Sequence, residues 1–351
     1  MQGLADIRSM SLAELEKFVF LLSLPKFRAK QIFQWVQQKG VSDFALMTNL
    51  SELDRNLLSQ HASFYAPEVI TVQKSAKLDT VKLLLQLSDG SRIETALMLY
   101  SRKNSRDRAT VCVSTQTGCA MGCKFCATGL CKEPRNLTAG EIISQVLLAK
   151  EQAQKLGFNS ITNVVYMGMG EPLLNLDAVK RSILLLNDSA GLGIGMRKFA
   201  VSTCGLAEQI FKMADWQLQI ELAISLHAPN DSLRQKMMPI AKKYQISDIL
   251  NACRYYQKQT GQRFTCEYAL FQDVNDDMLL AHQLGELLRG QDCLVNIIPA
   301  NPVKETGFFP SRSEVISEFS KILLTYGLDV HIREARGIDI DAACGQLRRR
   351  G

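Results

Sequence analysis

Gly118-Cys119-Ala120-Met121-Gly122-Cys123-Lys124-Phe125-Cys126 is the stretch on which the fold and the chemistry turn. Its cysteines are spaced C-x3-C-x2-C, with two glycines between and before them and an aromatic side chain ahead of the last. Such a loop can wrap an iron–sulfur cubane so that three thiolates reach it. Three ligands on a four-iron cluster leave one iron open, and an open metal position is where a cofactor or substrate binds. The competing readings are a zinc site with a distant fourth ligand, and chance. Zinc sites use two separated cysteine pairs, and no second pair stands elsewhere in the chain. Chance would give this spacing in about one chain of this composition in a hundred.

Working outward, the loop follows a strand-like run, Thr110–Thr115. From there strands and helices alternate. Strand candidates are Ile161–Met167, Phe199–Thr203, Ile220–Leu226, Thr265–Phe271, Leu294–Pro299 and Val330–Arg333. Helix candidates between them are Ala139–Lys155, Leu176–Asn187, Leu206–Ala214, Ser247–Gln259, Met278–Leu288 and Ser313–Tyr326. Short strands rich in Val and Ile, each followed by a helix, predict a parallel sheet with right-handed crossovers. The fold class is α/β. About six β/α units fit a partial or closed (β/α)6-type barrel, and a flat doubly wound sheet is the alternative. In a barrel, chemistry belongs on loops after the strand C-termini.

Upstream, residues 1–65 read as helices. Ser11 with Glu14 is a capping box opening Leu12–Leu22. Pro25 marks a second helix entry, with Phe27, Ile32, Phe33, Trp35 and Val36 as its apolar face and Gly40 as its stop. Ser51 with Asp54 opens a third helix. Thr80–Leu87 and Arg92–Tyr100 flank Ser88-Asp89-Gly90-Ser91 and predict a β-hairpin. The expected organisation is an accessory helical domain over 1–65, a hairpin and basic connector over 66–104, and a barrel with a C-terminal tail over 105–351.

The bulk numbers fit this plan. The 351 residues are 46% hydrophobic, enough for one barrel-sized core with a small appendage. No long apolar run exists, so no membrane span is expected, and the start Met1–Phe18 lacks the apolar core of a signal peptide. A cytoplasmic protein is expected. Ten cysteines without an export signal favour metal or redox chemistry over a disulfide scaffold. The net charge of +6 permits a polyanionic partner. Its cations bunch at Lys26/Arg28/Lys30, Arg102/Lys103/Arg106/Arg108, Arg197/Lys198, Lys242/Lys243 and Arg348/Arg349/Arg350.

Other residues gather where barrel chemistry is expected. Gly168-Met169-Gly170-Glu171-Pro172 follows the second strand; its glycines let backbone approach a ligand, and Glu171 can accept from an ammonium. Ser202, Ser225-Leu226-His227 and Asn301 stand at later strand ends. Cys344 lies in Asp341-Ala342-Ala343-Cys344-Gly345-Gln346, where a small buried hydrophobe is the bland alternative. Alternation puts Arg92, Glu94, Ala96 and Met98 on one strand face.

The cysteine spacing with Phe125 resembles the radical S-adenosylmethionine (SAM) superfamily. The longer string Ala109–Gly129, with the tail Arg336–Leu347, is similar to a narrower group across essentially the whole chain: the adenine-C2 RNA methyltransferases, the RlmN group, related to Cfr. The resemblance implies one [4Fe-4S] cluster on Cys119, Cys123 and Cys126. It implies SAM bound by Gly170, Glu171, Ser202, Ser225, Leu226, His227 and Asn301, two molecules being used per turnover. It implies Cys344 as the methyl carrier, Glu94 as the proton acceptor, and Cys112 as the resolving cysteine that forms a transient disulfide with Cys344. A carrier thiol suits the problem, because adenine C2 is electrophilic and cannot itself attack a sulfonium methyl, whereas a thiolate can. The implied substrates are an adenosine of 23S rRNA near the peptidyl transferase centre and the adenosine beside the tRNA anticodon. Flavodoxin or ferredoxin is the implied electron donor, and a monomer is expected. Cys204 departs from the group's pattern, and Cys131 has no assigned part.

Three competitors remain at this level. Adenine-C8 methylation of 23S rRNA uses the same parts; Pro172 favours C2. A methylthiotransferase needs a second cysteine trio, and residues 1–111 contain no cysteine. A zinc-containing RNA-binding module does not need the long β/α series or Cys344.

Overall fold

The computed structural model describes residues 4–101, 107–130, 134–301, 303, 305–334 and 336–347. The cations Arg102, Lys103, Arg106 and Arg348–Arg350, and the thiol Cys131, lie outside these residues.

The N-terminal module runs β1 (Ala5–Asp6), α1 (Leu12–Leu21), α2 (Phe27–Phe33), α3 (Glu52–His61) and β2 (Ala62–Ser63). Both capping-box bonds at Ser11 and Glu14 form, which sets the start of α1. α2 passes into a π-turn over Gln34–Lys39 and stops at Gly40, whose φ of +77° suits glycine. Ile32, Phe33 and Val36 enter the core as expected. Phe27 does not: it is 60% exposed at the first turn of α2, under the Arg28 guanidinium at 5.1 Å. β1 and β2, which the helical reading of 1–65 missed, pair in parallel and tie the module's ends together.

Arg8 fixes this module to the rest. It is buried, and donates to Ser144 Oγ at 3.0 Å and to the Val41 carbonyl at 2.7 Å. Gln37 donates to the Arg8 carbonyl at 2.7 Å. Burial pushes the Arg8 pKa down to about 10, still charged at neutral pH. Part of the expected basic surface is committed internally: Arg28 pairs with Asp54 at 3.1 Å and also bonds Gln31 and the Asn49 carbonyl.

The remainder is one sheet with its helices. Its elements are β3 (Glu68–Lys74), β4 (Thr80–Gln86), β5 (Arg92–Tyr100), β6 (Arg108–Cys112), α4 (Ala139–Lys155), β7 (Asn163–Tyr166), α5 (Leu176–Asn187), β8 (Phe199–Thr203), α6 (Ala207–Ala214), β9 (Glu221–Ser225), α7 (Asp231–Met237), α8 (Ile246–Thr260), β10 (Phe264–Leu270), α9 (Met278–Leu288), β11 (Cys293–Pro299), α10 (Ser313–Thr325) and β12 (Asp329–Ile332). Strands β3 to β12 lie side by side in chain order. β6 to β12 are parallel, and β3 to β6 are antiparallel. A doubly wound sheet must reverse its strand order at a switch point. No reversal occurs here, so the sheet curls one way as a barrel does. Its edges β3 and β12 are not paired with each other, and the barrel is partial.

Burial explains the strands. β8 and β10 are buried at every position, as parallel strands covered on both faces must be. The predicted hairpin forms between β4 and β5, but it belongs to a three-stranded extension. β3, an exposed edge strand, was not anticipated, nor was the short helix α7.

Candidate active site

Each parallel strand ends at one rim, and there the predicted residues meet around a cavity with about 1320 Å3 of empty space, part of it open to solvent.

The cysteine loop leaves β6 and forms one wall. Lys124 N–H donates to the Met237 carbonyl at 3.0 Å, and Cys126 N–H donates to that of Cys123 at 3.2 Å. Phe125 is clamped by an edge contact with His227 and a tilted contact with Phe271, both at 5.1 Å between centroids. That clamp explains the aromatic before the last cysteine: it fixes the loop against the strand ends. Cys119, Cys123 and Cys126 are half-buried thiols facing the cavity. Burial pushes the Cys123 thiol pKa up, and the neighbouring Cys126 and Cys119 push it further. Three thiolates so placed call for positive charge between them. Among the described residues no three ligands converge on a single point as one metal ion requires. A cubane does not require it, because each thiolate takes a different iron. Three thiols on one cavity wall fit a cluster.

The loop after β7 forms the next wall. A Cβ at Gly168 would stand 2.7 Å from the Val113 carbonyl oxygen, and one at Gly170, where φ is +104°, 2.7 Å from Gln116 Cβ. Only glycines allow this approach. It delivers Glu171 into the cavity, buried, with Oε2 accepting from Cys204 N–H at 2.8 Å and Oε1 from Leu173 N–H at 3.0 Å. Burial raises its pKa, and these bonds oppose the rise. The side chains of Thr203 and Cys204 also bond this carboxylate, which lines the cavity, so a ligand ammonium would have to share or replace one of these contacts.

Ser202 and Ser225 stand side by side at the ends of β8 and β9, their hydroxyls 3.5 Å apart. His227, at φ +59°, accepts from Ala269 N–H through Nδ1 at 3.0 Å. That bond places its proton on Nε2. Burial, with the nearby Arg234, lowers its pKa to about 3, so it is a neutral donor. Asn301 Nδ2 donates to the Cys344 carbonyl at 3.2 Å, while its buried Oδ1 has no partner among the described residues. An orphaned buried acceptor aimed at a ligand cavity fits a bound donor. Leu226 is the exception among the predicted SAM contacts. Its side chain packs into the core away from the cavity, and its carbonyl accepts from Arg234 Nε at 3.2 Å.

The C-terminal segment closes the rim. Arg336 bonds Asp79 and the Leu99 carbonyl, each at 3.2 Å. Asp339 accepts from Ala76 N–H at 2.8 Å. Beyond Cys344, the Gly345 carbonyl accepts from Ala127 N–H at 2.9 Å and that of Leu347 from Thr128 Oγ1 at 2.7 Å. The segment is thus strapped from the β3–β5 extension to the cysteine loop, with Cys344 between its anchors.

Cys344 is exposed to the cavity yet ringed by protein. That surrounding pushes its pKa up to about 11, with Arg333 opposing. Cys112, at the end of β6, lines the same cavity; burial, and then Cys344, push its pKa up to about 12. Glu94 lies deeper. It is on the same face of β5 as the cavity-lining Ala96 and Met98, but is itself buried and paired with Lys82 at 3.1 Å.

Several site residues were missed in the sequence. Glu267, on β10, faces the cavity with a burial-raised pKa, 3.6 Å from Arg333. Its signal was a carboxylate inside the apolar run Phe264–Leu270. Arg333 follows the last strand and carried no signal beyond its place. Arg234 is fully buried, holding the Cys204 carbonyl at 2.6 Å.

Comparison with known proteins agrees with this geometry. Residues 113–283 match the model of the radical SAM superfamily, and residues 5–64 match the ribosomal RNA large subunit methyltransferase N-terminal domain. The chain is 45% identical over 344 residues to a Clostridium novyi protein named "Probable dual-specificity RNA methyltransferase RlmN", covering 98% of each. It is 47% identical to a protein of the same name from Clostridium perfringens, covering 98% of this chain and 96% of that one. The crystal structure of a radical SAM methyltransferase from Sphaerobacter thermophilus superposes with a TM-score of 0.94 at 41% identity, over 99% of each chain. The chain belongs to the RlmN family of radical SAM RNA methyltransferases.

Proposed function

We propose that this enzyme methylates carbon C2 of an adenosine in 23S rRNA, at the peptidyl transferase centre, and of the adenosine beside the tRNA anticodon, through a methylated Cys344. The observation that carries this reading is a pair of thiols, Cys344 and Cys112, facing one cavity with the cluster cysteines.

The family's [4Fe-4S] cluster, with SAM bound, supplies a deoxyadenosyl radical that can remove a hydrogen atom from an unactivated methyl group. The protein's own groups do the rest. Gly170 and Glu171 take the SAM amino group, and Ser202, Ser225, His227 and Asn301 offer polar contacts around it. The Cys344 thiolate accepts a methyl from a first SAM, forming an S–C bond as the sulfonium becomes a thioether. A second SAM is the radical source. Once the methyl-derived carbon is joined to C2, Glu94 would accept the C2 proton, and the adduct's unpaired electron would leave to a one-electron acceptor of the iron–sulfur class, giving a closed-shell thioether. The Cys112 thiolate then attacks the Cys344 sulfur, so that S–S forms as S–C breaks, and the released carbon takes a proton to become the product methyl. Reducing the disulfide returns the enzyme to its starting state.

The N-terminal module supplies Lys26 and Lys30 for phosphate contact, and an adenosine in folded RNA must be extruded to reach the cavity. Flavodoxin or ferredoxin is the proposed electron donor, and the working unit a cytoplasmic monomer.

Cys112→Ala tests the reading directly. Expressed in cells with their own RNA, this variant should accumulate protein covalently joined to a nucleotide at Cys344, read by intact mass spectrometry before and after nuclease digestion. The digested fragment identifies the RNA. Normal product with no adduct overturns the roles of both cysteines.

A further inference from the structure

Beneath the cavity floor, two charged side chains face each other out of water. Lys82 Nζ stands 3.1 Å from Glu94 Oε1, with both side chains less than a tenth exposed. In the β4–β5 ladder Lys82 pairs with Ala96, and Leu84 with Glu94. Lys82 and Glu94 are therefore diagonal neighbours on the sheet face that Ala96 extends into the cavity. Lys82 Nζ also donates to the Asp341 carbonyl at 3.3 Å. Asp341 holds φ at +51°, in the left-handed region, three positions before Cys344.

A buried ion pair is weak evidence for stability, since apolar residues of similar volume do as well. Its presence here has another use. A carboxylate taken out of water keeps its charge only when paired, and only the charged form can accept a proton. We propose that Lys82 is a positioning residue for Glu94: its ammonium favours the charged carboxylate and fixes it on the strand face that reaches the cavity at Ala96 and Met98, and its second bond, to Asp341, ties the pair to the segment that carries Cys344. The inference rests on the reading of Glu94 as proton acceptor. In the step concerned, the C2 proton passes to a Glu94 oxygen, the C2–H bonding pair joins the ring, and the one unpaired electron left by radical addition passes to a one-electron acceptor of the iron–sulfur class, so that aromaticity is restored.

Lys82 is not needed to hold the Cys344 segment in place. That segment keeps its anchors at Asp79, Leu99, Ala76, Asn301, Ala127 and Thr128. Loss of the Lys82 charge should thus spare methylation of Cys344 itself and strike the later proton removal.

The test compares Lys82→Met, Lys82→Arg, Lys82→Gln and Glu94→Gln in the full-length, cluster-loaded enzyme. Cys344 methylation is read by peptide mass, and RNA methylation with substrate carrying hydrogen or deuterium at C2. Lys82→Met should methylate Cys344 normally but form product about 10²-fold more slowly, the loss expected of a disabled base. A hydrogen/deuterium rate difference should appear in Lys82→Met and in Glu94→Gln, because proton removal has become the slow step. Lys82→Arg should restore most of the rate. If Lys82→Met does not fold, Lys82→Gln, which keeps an amide donor for Asp341 but no charge, carries the comparison with Lys82→Arg. Glu94→Gln blocked while the neutral Lys82 variants turn over normally overturns the role of Lys82 alone. Glu94→Gln at the normal rate overturns the reading of Glu94 beneath it. Equal loss in Lys82→Arg and Lys82→Met, without an isotope effect, reduces Lys82 to a packing residue and overturns the proposal.

Discussion

Cys344 combines access with a reluctance to ionise. Its thiol meets the cavity, but surrounding protein disfavours the thiolate and lifts its pKa to about 11. The thiolate is the nucleophile, so reactivity grows as pH rises toward that value. In protein without SAM, alkylation of Cys344 by iodoacetamide should accelerate about tenfold per pH unit between roughly pH 7 and 9. A plateau by pH 9 in peptide-resolved mass spectrometry would contradict this account. Arg333 opposes the shift, so Arg333→Met should move the whole curve to higher pH. Cys344→Ala should retain its iron and still cleave SAM reductively to 5′-deoxyadenosine, seen by chromatography, while making no methylated RNA. Much of this was legible in the sequence: the three loop cysteines, Glu171 and Asn301 all reach the cavity. Glu267 and Arg333 were not found, because a strand pattern shows that a charge is buried but not what it meets across the barrel. Leu226 was carried over with its neighbours, although strand alternation turns its side chain from the cavity while Ser225 faces it.

At the scale of elements, legibility followed periodicity. Helices α5 and α9 and strand β8 fall on their predicted bounds, the helices because their apolar repeats run from end to end and β8 because it is a short, wholly buried run. β3 escaped because an exposed edge strand has no apolar alternation to read. α7 spans only seven residues, too few for a helical repeat to show. The contact between the N-terminal module and α4 was equally invisible, since it depends on a glycine whose role is distance. A Cβ at Gly140 would stand 2.7 Å from Asp6 Oδ2 and 3.0 Å from Ser9 Oγ. Gly140→Ala should therefore loosen this seam at a cost of about 1–3 kcal/mol. Hydrogen exchange should quicken over residues 5–64 and leave the protection of β8 and β10 unchanged. Unaltered exchange in the module would show that Asp6 simply swings aside.

In the whole molecule, parallel strands added in chain order bring the loop after each of them to one rim. The antiparallel β3–β5 extension joins the first parallel strand and carries the buried Lys82–Glu94 pair. Sequence periodicity predicted the β/α units but left barrel and flat sheet unresolved; strand order resolves them, and order is a tertiary property. The strap over residues 336–347 also has a consequence in time. It is made well after the loop of Cys119, Cys123 and Cys126, yet it anchors the end of that loop by bonding Ala127 and Thr128. At about 5–20 residues per second, the ribosome leaves that loop without this anchor for roughly 10–40 s before Gly345 and Leu347 arrive. In the finished chain the strap holds the end of that loop through both bonds, so the loop's anchorage is completed only after Leu347 has been added.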